Sequence, residues 1–257
     1  MMLWRALSIH TEFHLRGLWN WRSIMYGDLL QPLIYLAFLA TGLQNLIGEI
    51  DLQSGVKISY LAYVFAGLVA LLTARVWPRT TFSVANERKW GMYALKRLNG
   101  FTVTKYLLAV ILVEGILFLA QILLLLLLGL LLGLQISPLN LILAIVIGLF
   151  AVAFWAGIGT AVATFIHNYQ QRELVISLTT LPMMFSAPIF FPLQNAPLYL
   201  KAFALVNPLT YQVNAIRHAL FGVVNISDIG IAIAMTLMAG FFGRQCIDRS
   251  DLLSHEW

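Results

Sequence analysis

The sequence predicts an all-α polytopic membrane protein, a bundle of six transmembrane helices, and three observations carry that reading. Of 257 residues, 60% are hydrophobic and only 11% are charged, where a soluble domain carries about a quarter charged residues. The mean hydropathy is +0.84, which leaves too little polar surface to coat a water-soluble sphere. Residues 115–171 contain no Asp, Glu, Lys or Arg, and Leu123 to Leu134 is leucine broken only by Gly129 and Gly133. No alternating barrel strand tolerates such a run, whereas a spanning helix needs about 20 apolar residues in succession. A soluble enzyme, a disulfide-built secreted module and a disordered chain are thereby excluded. The lone Cys246 cannot form an internal disulfide and reads as a small apolar residue near a helix end. No long repeat or linker divides the chain, so residues 1–257 form one membrane domain.

The elements follow in order. In residues 1–22, Arg5, Glu12 and Arg16 share one face at about 100° per residue, and Leu3, Leu7, Leu18 and Trp21 take the other. Ile9 and Phe13 are exceptions. The three charges interrupt any signal-peptide core, and an amphipathic helix in the membrane interface is expected. His10 and His14, four apart, lack a third ligand and are not in His-Glu-x-x-His order, so no metal site is expected. Spans are expected at about residues 24–47, 58–77, 106–134, 139–166, 174–190 and 223–243. The stem of Arg75 can snorkel from the end of the short second span. Pro138 closes a tight turn between the third and fourth.

Orientation follows from the Lys and Arg of the short loops. Arg5, Arg16, Arg22, Arg75, Arg79, Arg88, Lys89, Lys96, Arg97, Lys105, Arg172, Arg244 and Arg249 fall on one side, leaving Lys57, Lys201 and Arg217 on the other. Both termini are therefore expected in the cytoplasm. Because the basic residues cluster at helix ends, membrane lipid rather than nucleic acid explains the net charge of +5.

Two segments are more than simple loops. Residues 79–99 mix helix formers with both charge signs, and Gly91 is expected to break or bend the helix. A basic loop held near anionic headgroups and a short helix docked on another protein both remain open. Trp90, Met92, Tyr93, Leu95 and Leu98 would suit the second. In residues 192–222, Pro192, Pro197 and Pro208 break the chain into short pieces. Asn207-Pro208 reads as an N-cap followed by proline at the first helical position. Leu209, Val213, Ile216 and Leu220 then form one face, and Thr210, Asn214 and Arg217 share the other. Such a helix should dip into the outer leaflet or lie along it. Irregular backbone at that depth must be buried in protein or line a cavity, which makes it a packed plug or part of a path.

Glu114 lies nine residues beyond Lys105, about 13 Å along a helix and near mid-bilayer. It should face the bundle interior, protonated or paired, either on a polar pathway or as a structural hydrogen bond between helices. Asp28 at the start of the first span is explained by the helix dipole. Gly129 and Gly133 have the small-xxx-small spacing of close helix contacts. The chain has no phosphate-binding Gly-x-x-x-x-Gly-Lys-Ser/Thr loop and no Gly-x-Ser-x-Gly elbow. Transport or a scaffolding role remains.

The order of these parts resembles the permease subunit of type-2 ABC exporters. The strongest match is Asn207-Pro208-Leu209-Thr210-Tyr211, continuing through Arg217 to Leu220-Phe221-Gly222, which resembles the family's Asn-Pro-Leu-Thr-Tyr…Arg…Leu-x-Gly stretch. Phe190-Phe191-Pro192-Leu193…Pro197-Leu198 resembles its Phe-Pro-Leu…Pro-x-Trp-Leu approach. Glu87-Arg88-Lys89-Trp90-Gly91-Met92-Tyr93-Ala94-Leu95 resembles its charged-then-Gly-Thr-Leu-Glu coupling segment. Asn214 stands where Asp is common, Ala94 where Glu is common, and Leu98-Asn99-Gly100 replaces a proline-containing end.

The resemblance covers nearly the whole chain and implies an interfacial helix, a coupling helix at residues 80–98 and a re-entrant outer hairpin before the last span. It also implies a prokaryotic plasma (inner) membrane location. A second copy of the chain and two copies of an ATP-binding subunit would be the partners, with ATP and Mg bound on that subunit and no cofactor or catalysis here. Glu87, Arg88, Trp90, Gly91 and Tyr93 would contact the ATPase. Glu114, Asn207, Pro208, Tyr211 and Arg217 would belong to the translocation path or its outer gate. The substrate would be lipophilic or lipid-linked, a drug-like molecule or a glycan. Three alternatives are a proton-coupled carrier using Glu114, an intramembrane enzyme acting on lipid and a non-transporting scaffold subunit.

Overall fold

A computed structural model describes residues 22–52, 55–166, 168–223 and 226–250. The expected interfacial helix, with His10 and His14, lies outside the described residues. The chain is mostly helical, and five of its helices are long and apolar enough to cross a membrane: Leu29–Ile47, Tyr60–Lys89, Val103–Leu131, Pro138–Phe165 and Ile229–Arg249.

The first of these combines α1 (Arg22–Ile34), a π-helical segment (Tyr35–Ala40) and α2 (Thr41–Ile47). Pro32 within α1 cannot donate to the helical ladder, and the wider π turn follows it directly. A two-stranded antiparallel hairpin comes next, β1 (Glu49–Asp51) paired with β2 (Lys57–Ser59), with Ile50 opposite Ile58 and Asp51 opposite Lys57. The sequence reading had no strand here. The signal was the short alternation Glu49-Ile50-Asp51-Leu52, with Ile50, Leu52 and Ile58 buried and Gly55 at positive φ in the turn.

Ser59 caps α3 (Tyr60–Ala74) by accepting from the Ala62 amide at 3.2 Å. Every residue of α3 is buried, so this helix is the axis of the bundle. After a bend at Arg75 it continues as α4 (Val76–Lys89), and a left-handed Gly91 (φ 71°) turns the chain into α5 (Met92–Leu98). The break falls at the glycine expected to make it. Thr102 caps α6 (Val103–Leu131), and Pro138 opens α7 (Pro138–Phe165). The final helix is α11 (Ile226–Arg249).

The stretch expected as the fifth span differs. Helix α8 (Tyr169–Ser186) begins with a polar turn containing Gln170, Gln171, Arg172 and Glu173, and it stops at Ser186. Only thirteen residues, Leu174 to Ser186, carry its apolar part, about 20 Å of helix against a hydrocarbon core of about 30 Å. Residues 187–190 are non-helical and buried. They run against α3 at Gly67, where an added Cβ would stand 2.6 Å from the Ile189 carbonyl oxygen. Glycine is what lets that backbone approach.

Beyond this segment lie α9 (Leu198–Val206) and α10 (Pro208–Leu220). The sequence reading has α10 dip into the outer leaflet or lie along it, as a packed plug or part of a path. The helix is packed against α3 and α7 and buried on both faces. Its polar side is accommodated by internal partners: Gln212 Oε1 accepts from the Trp155 indole at 2.7 Å, and the Leu220 carbonyl accepts from Asn140 at 3.2 Å.

Candidate functional site

Two ends of the α3–α4 rod gather the chemistry. At the α4 end, Arg79 meets Glu114 of α6: Nε donates to Oε2 at 2.8 Å and Nη2 lies 2.8 Å from the same oxygen. Glu114 is buried, so the carboxyl faces the interior as expected, and its partner is a cation from the basic segment 79–99. Arg88 donates to the Ala163 carbonyl of α7 at 3.2 Å, and Thr81 Oγ1 to the Gly159 carbonyl at 3.1 Å. These bonds fix α4 to the C-terminal end of α7.

The turn at Gly91 is closed by a second ion pair. Lys96 Nζ of α5 donates to Glu87 Oε1 at 2.7 Å, and the same ammonium lies 5.4 Å from the centre of the Tyr106 ring. Tyr106 packs edge-on against Tyr93 with ring centres 5.0 Å apart. Burial pushes the Lys96 ammonium below its ordinary value, and Glu87 pulls it back up in part. Burial raises the Tyr93 phenol, with Arg97 and Arg88 opposing. At the far edge, Arg97 reaches Asp248 of α11 at 3.7 Å. Helices α4 and α5 thus form a rigid elbow tied to α6, α7 and α11.

This elbow sorts the residues expected to touch an ATPase. Glu87, Arg88 and Tyr93 are buried and point into the elbow, while Gly91 supplies its turn. Trp90 points outward, 76% exposed, beside Leu95 and the 80% exposed Leu98. Glu87 and Arg88 stiffen the element, and its exposed surface carries Trp90, Leu95 and Leu98 among Asn86, Lys89 and Asn99.

At the other end, Asn207 holds three chain segments together. Its Oδ1 accepts from the Leu209 amide at 3.0 Å, and its Nδ2 donates to the Met183 carbonyl at 2.7 Å and to Ser186 Oγ at 2.9 Å. The expected cap with Pro208 at the first helical position is therefore present and also anchors the end of α8. Tyr211 donates to the Leu205 carbonyl at 2.9 Å, bracing α9 on α10. Arg217 is 3% exposed. Its Nη2 donates to the Pro188 carbonyl at 2.6 Å and the Tyr63 carbonyl at 3.4 Å, and the guanidinium lies 3.7 Å from the centre of the Tyr63 ring. It clamps α10 to α3 and to the segment running past Gly67. A cavity of about 160 Å³ opens beside it, roofed by Ile50, Asp51 and Leu52 of the hairpin.

Glu114 and the Asn207–Arg217 group are thus at different places: Glu114 belongs with the elbow and the others with the Arg217 clamp at the far end of the rod. The sequence reading did not single out Arg79 as the partner of Glu114, nor Lys96 or Tyr63. No group of three or more metal-ligating side chains occurs among the described residues.

The sequence model of the ABC-2 type transporter family matches residues 7–221, from the N-terminal segment to the end of α10. The chain belongs to the ABC-2 type transporter family. It is therefore a multi-pass membrane protein and the membrane subunit of an ABC transporter, a component that works with ATP-binding subunits. No curated protein is matched by the chain. The resemblance drawn from the Asn207 and Glu87 segments is the family that the match gives.

Proposed function

We propose that this ABC-2 type subunit is the translocation half of an ATP-driven exporter, acting as a pair with two ATP-hydrolysing subunits at its cytoplasmic face. The observation that carries the reading is the elbow. Exposed Trp90 at the end of α4, with Leu95 and Leu98 of α5, is braced from behind by Glu87–Lys96 and Arg88–Ala163. The elbow sits at one end of a buried rod whose other end is gripped by Arg217. A push on this exposed surface has little slack to take up, because the elbow's charged groups are already paired. It is transmitted along α4 and α3 to the clamp on Pro188 and α10. The coupling surface is then Trp90 with Leu95 and Leu98, while Glu87, Arg88, Gly91 and Tyr93 set its shape.

In this reading α8 and the buried segment 187–190 together complete a sixth crossing, and α9 with α10 forms the outer re-entrant hairpin. The segment turns on itself, the Ile189 amide donating to the Ala187 carbonyl at 2.8 Å, and it packs against Gly67 of α3, so the crossing would be completed inside the bundle rather than against lipid. Both termini face the cytoplasm of a prokaryotic cell. The cargo is a lipophilic or lipid-linked molecule. A proton-coupled carrier is less well supported, since Glu114 is engaged by the Arg79 guanidinium at 2.8 Å.

The test is gentle purification of the tagged chain from its native membrane, followed by an ATP hydrolysis assay. The parent should bring a nucleotide-binding subunit with it. Trp90→Asp/Leu98→Asp should lose that subunit while keeping the parent melting temperature. A chain that purifies alone and active in proton-driven flux would overturn the reading.

A further inference from the structure

The cavity between the β1–β2 hairpin and α10 holds a buried cation that makes no ion pair among the described residues. Arg217, nine-tenths buried and more, lines it, and among the described residues no carboxylate makes an ion pair with the guanidinium. Its neighbours are neutral: two backbone carbonyls and the face of Tyr63. Its buried Nε has no hydrogen-bond partner. A buried cation left without an anion is costly, because carbonyl dipoles and a ring quadrupole replace only part of its lost hydration. Asp51 is exposed on the hairpin at the cavity edge, where Lys57 stands directly opposite it in the strand register. Asp51 therefore lines the cavity only at its exposed edge, and it makes no ion pair with the buried guanidinium.

The remaining polar lining is amide and imidazole: Gln194, Asn214 and His218. Ile50, Leu52, Pro188 and Leu193 form apolar walls that limit water and strengthen charge interactions inside. The volume of about 160 Å³ is close to that of voids which hold a benzene-sized guest. It accepts a phosphate-sized group with a few waters, and excludes a whole lipid or a drug-sized molecule.

We propose that this outer cavity is an anion subsite for a phosphate-class group, with Arg217 supplying the charge and Gln194, Asn214 and His218 the surrounding hydrogen bonds. The group can arrive as free phosphate or as the headgroup of an acidic lipid. The site stands on the cavity itself and not on the exporter reading, so its test needs no ATPase.

The purified chain in a neutral detergent is melted, with tryptophan fluorescence as the readout, at matched ionic strength in sodium phosphate and sodium chloride. In a second arm phosphatidylglycerol or phosphatidylcholine is doped into the micelles. A saturable rise of several degrees is expected with phosphate or with phosphatidylglycerol. A rise with phosphate identifies the free anion; a rise with phosphatidylglycerol alone identifies the lipid. Arg217→Gln breaks the clamp and can fail to fold, so the deciding variant is Asn214→Asp. It sets a carboxylate about one helical turn from Arg217, and should raise the melting temperature by itself and abolish the anion response. A response that persists in Asn214→Asp, or no response in either arm, would overturn the proposal.

Discussion

Arg79 and Glu114 meet at 2.8 Å across the α4–α6 interface, thirty-five residues apart in the chain. Each removes the other's reason to be excluded from the bundle. A carboxylate that far along an apolar helix is tolerated because a guanidinium reaches it through two nitrogens, and the arginine stem lies within the packed bundle. The pair also links the long span α6 to the rod that carries the elbow.

Glu114→Gln leaves Arg79 without its charge partner and should destabilise the fold at the low end of the about 3–5 kcal/mol seen when one member of a buried pair is removed. Arg79 keeps some solvent contact, which softens the loss. The double replacement Arg79→Met/Glu114→Leu should recover most of it, since both charges leave together. Thermal unfolding of the two single variants and the double closes the cycle. Purely additive losses would show that the two side chains do not interact.

What was legible in the sequence follows the range of the interaction. Asn207-Pro208 is a local signal, because a cap bonds the amide two residues on, and it reads correctly. Gly91 is local too. The long apolar runs of α6 and α7 identify themselves by length. Burial on all sides is different: α3 is no more apolar than a lipid-facing helix, and only its neighbours make it the axis. Glu114 could be seen to need a partner, but nothing in the spacing picked Arg79 out of seven basic residues in residues 75–105. Charge at Glu87 and Arg88 suggested an outward contact surface. They turn inward because Lys96 and the Ala163 carbonyl complete them, which leaves Trp90 outside. The end of α8 escaped for the opposite reason: residues 187–190 are apolar and look helical, yet they leave the helix in a turn closed by the Ile189 amide on the Ala187 carbonyl and pack against Gly67.

Asn207 is the second point where one side chain carries several bonds. Asn207→Ala removes the cap, worth about 1 kcal/mol, and both bonds to α8, leaving the Ser186 hydroxyl and the Met183 carbonyl only their long 3.4 Å bond to each other, at about 1 kcal/mol more. Asn207→Asp keeps the cap but turns a carboxylate oxygen toward the Met183 carbonyl. Both variants should melt below the parent, with the alanine variant resembling the loss of the anchor between α8 and α10. Protease cutting between Ser186 and Leu198 should accelerate in both. Parent-like melting in both would mean that the anchor does not matter.

The contact of α7 with α11 depends on two glycines, and their neighbour supplies the control. A Cβ on Gly157 would stand 2.6 Å from the Ala239 carbonyl oxygen, and one on Gly243 2.6 Å from the Gly157 carbonyl oxygen. The obstacle in each case is backbone, which cannot swing aside as a side-chain tip would. Gly243→Ala should therefore push the helices apart and cost about 1–3 kcal/mol. Gly240, one turn earlier on the same helix, has nothing within 4 Å of its Cβ position and no positive φ. Alanine there meets open space and has the better helix propensity, so Gly240→Ala should be neutral or stabilising by up to about 1 kcal/mol. Melting the two variants side by side separates close packing from a general dislike of alanine in α11. Equal melting temperatures would mean that the two helices do not cross at Gly157.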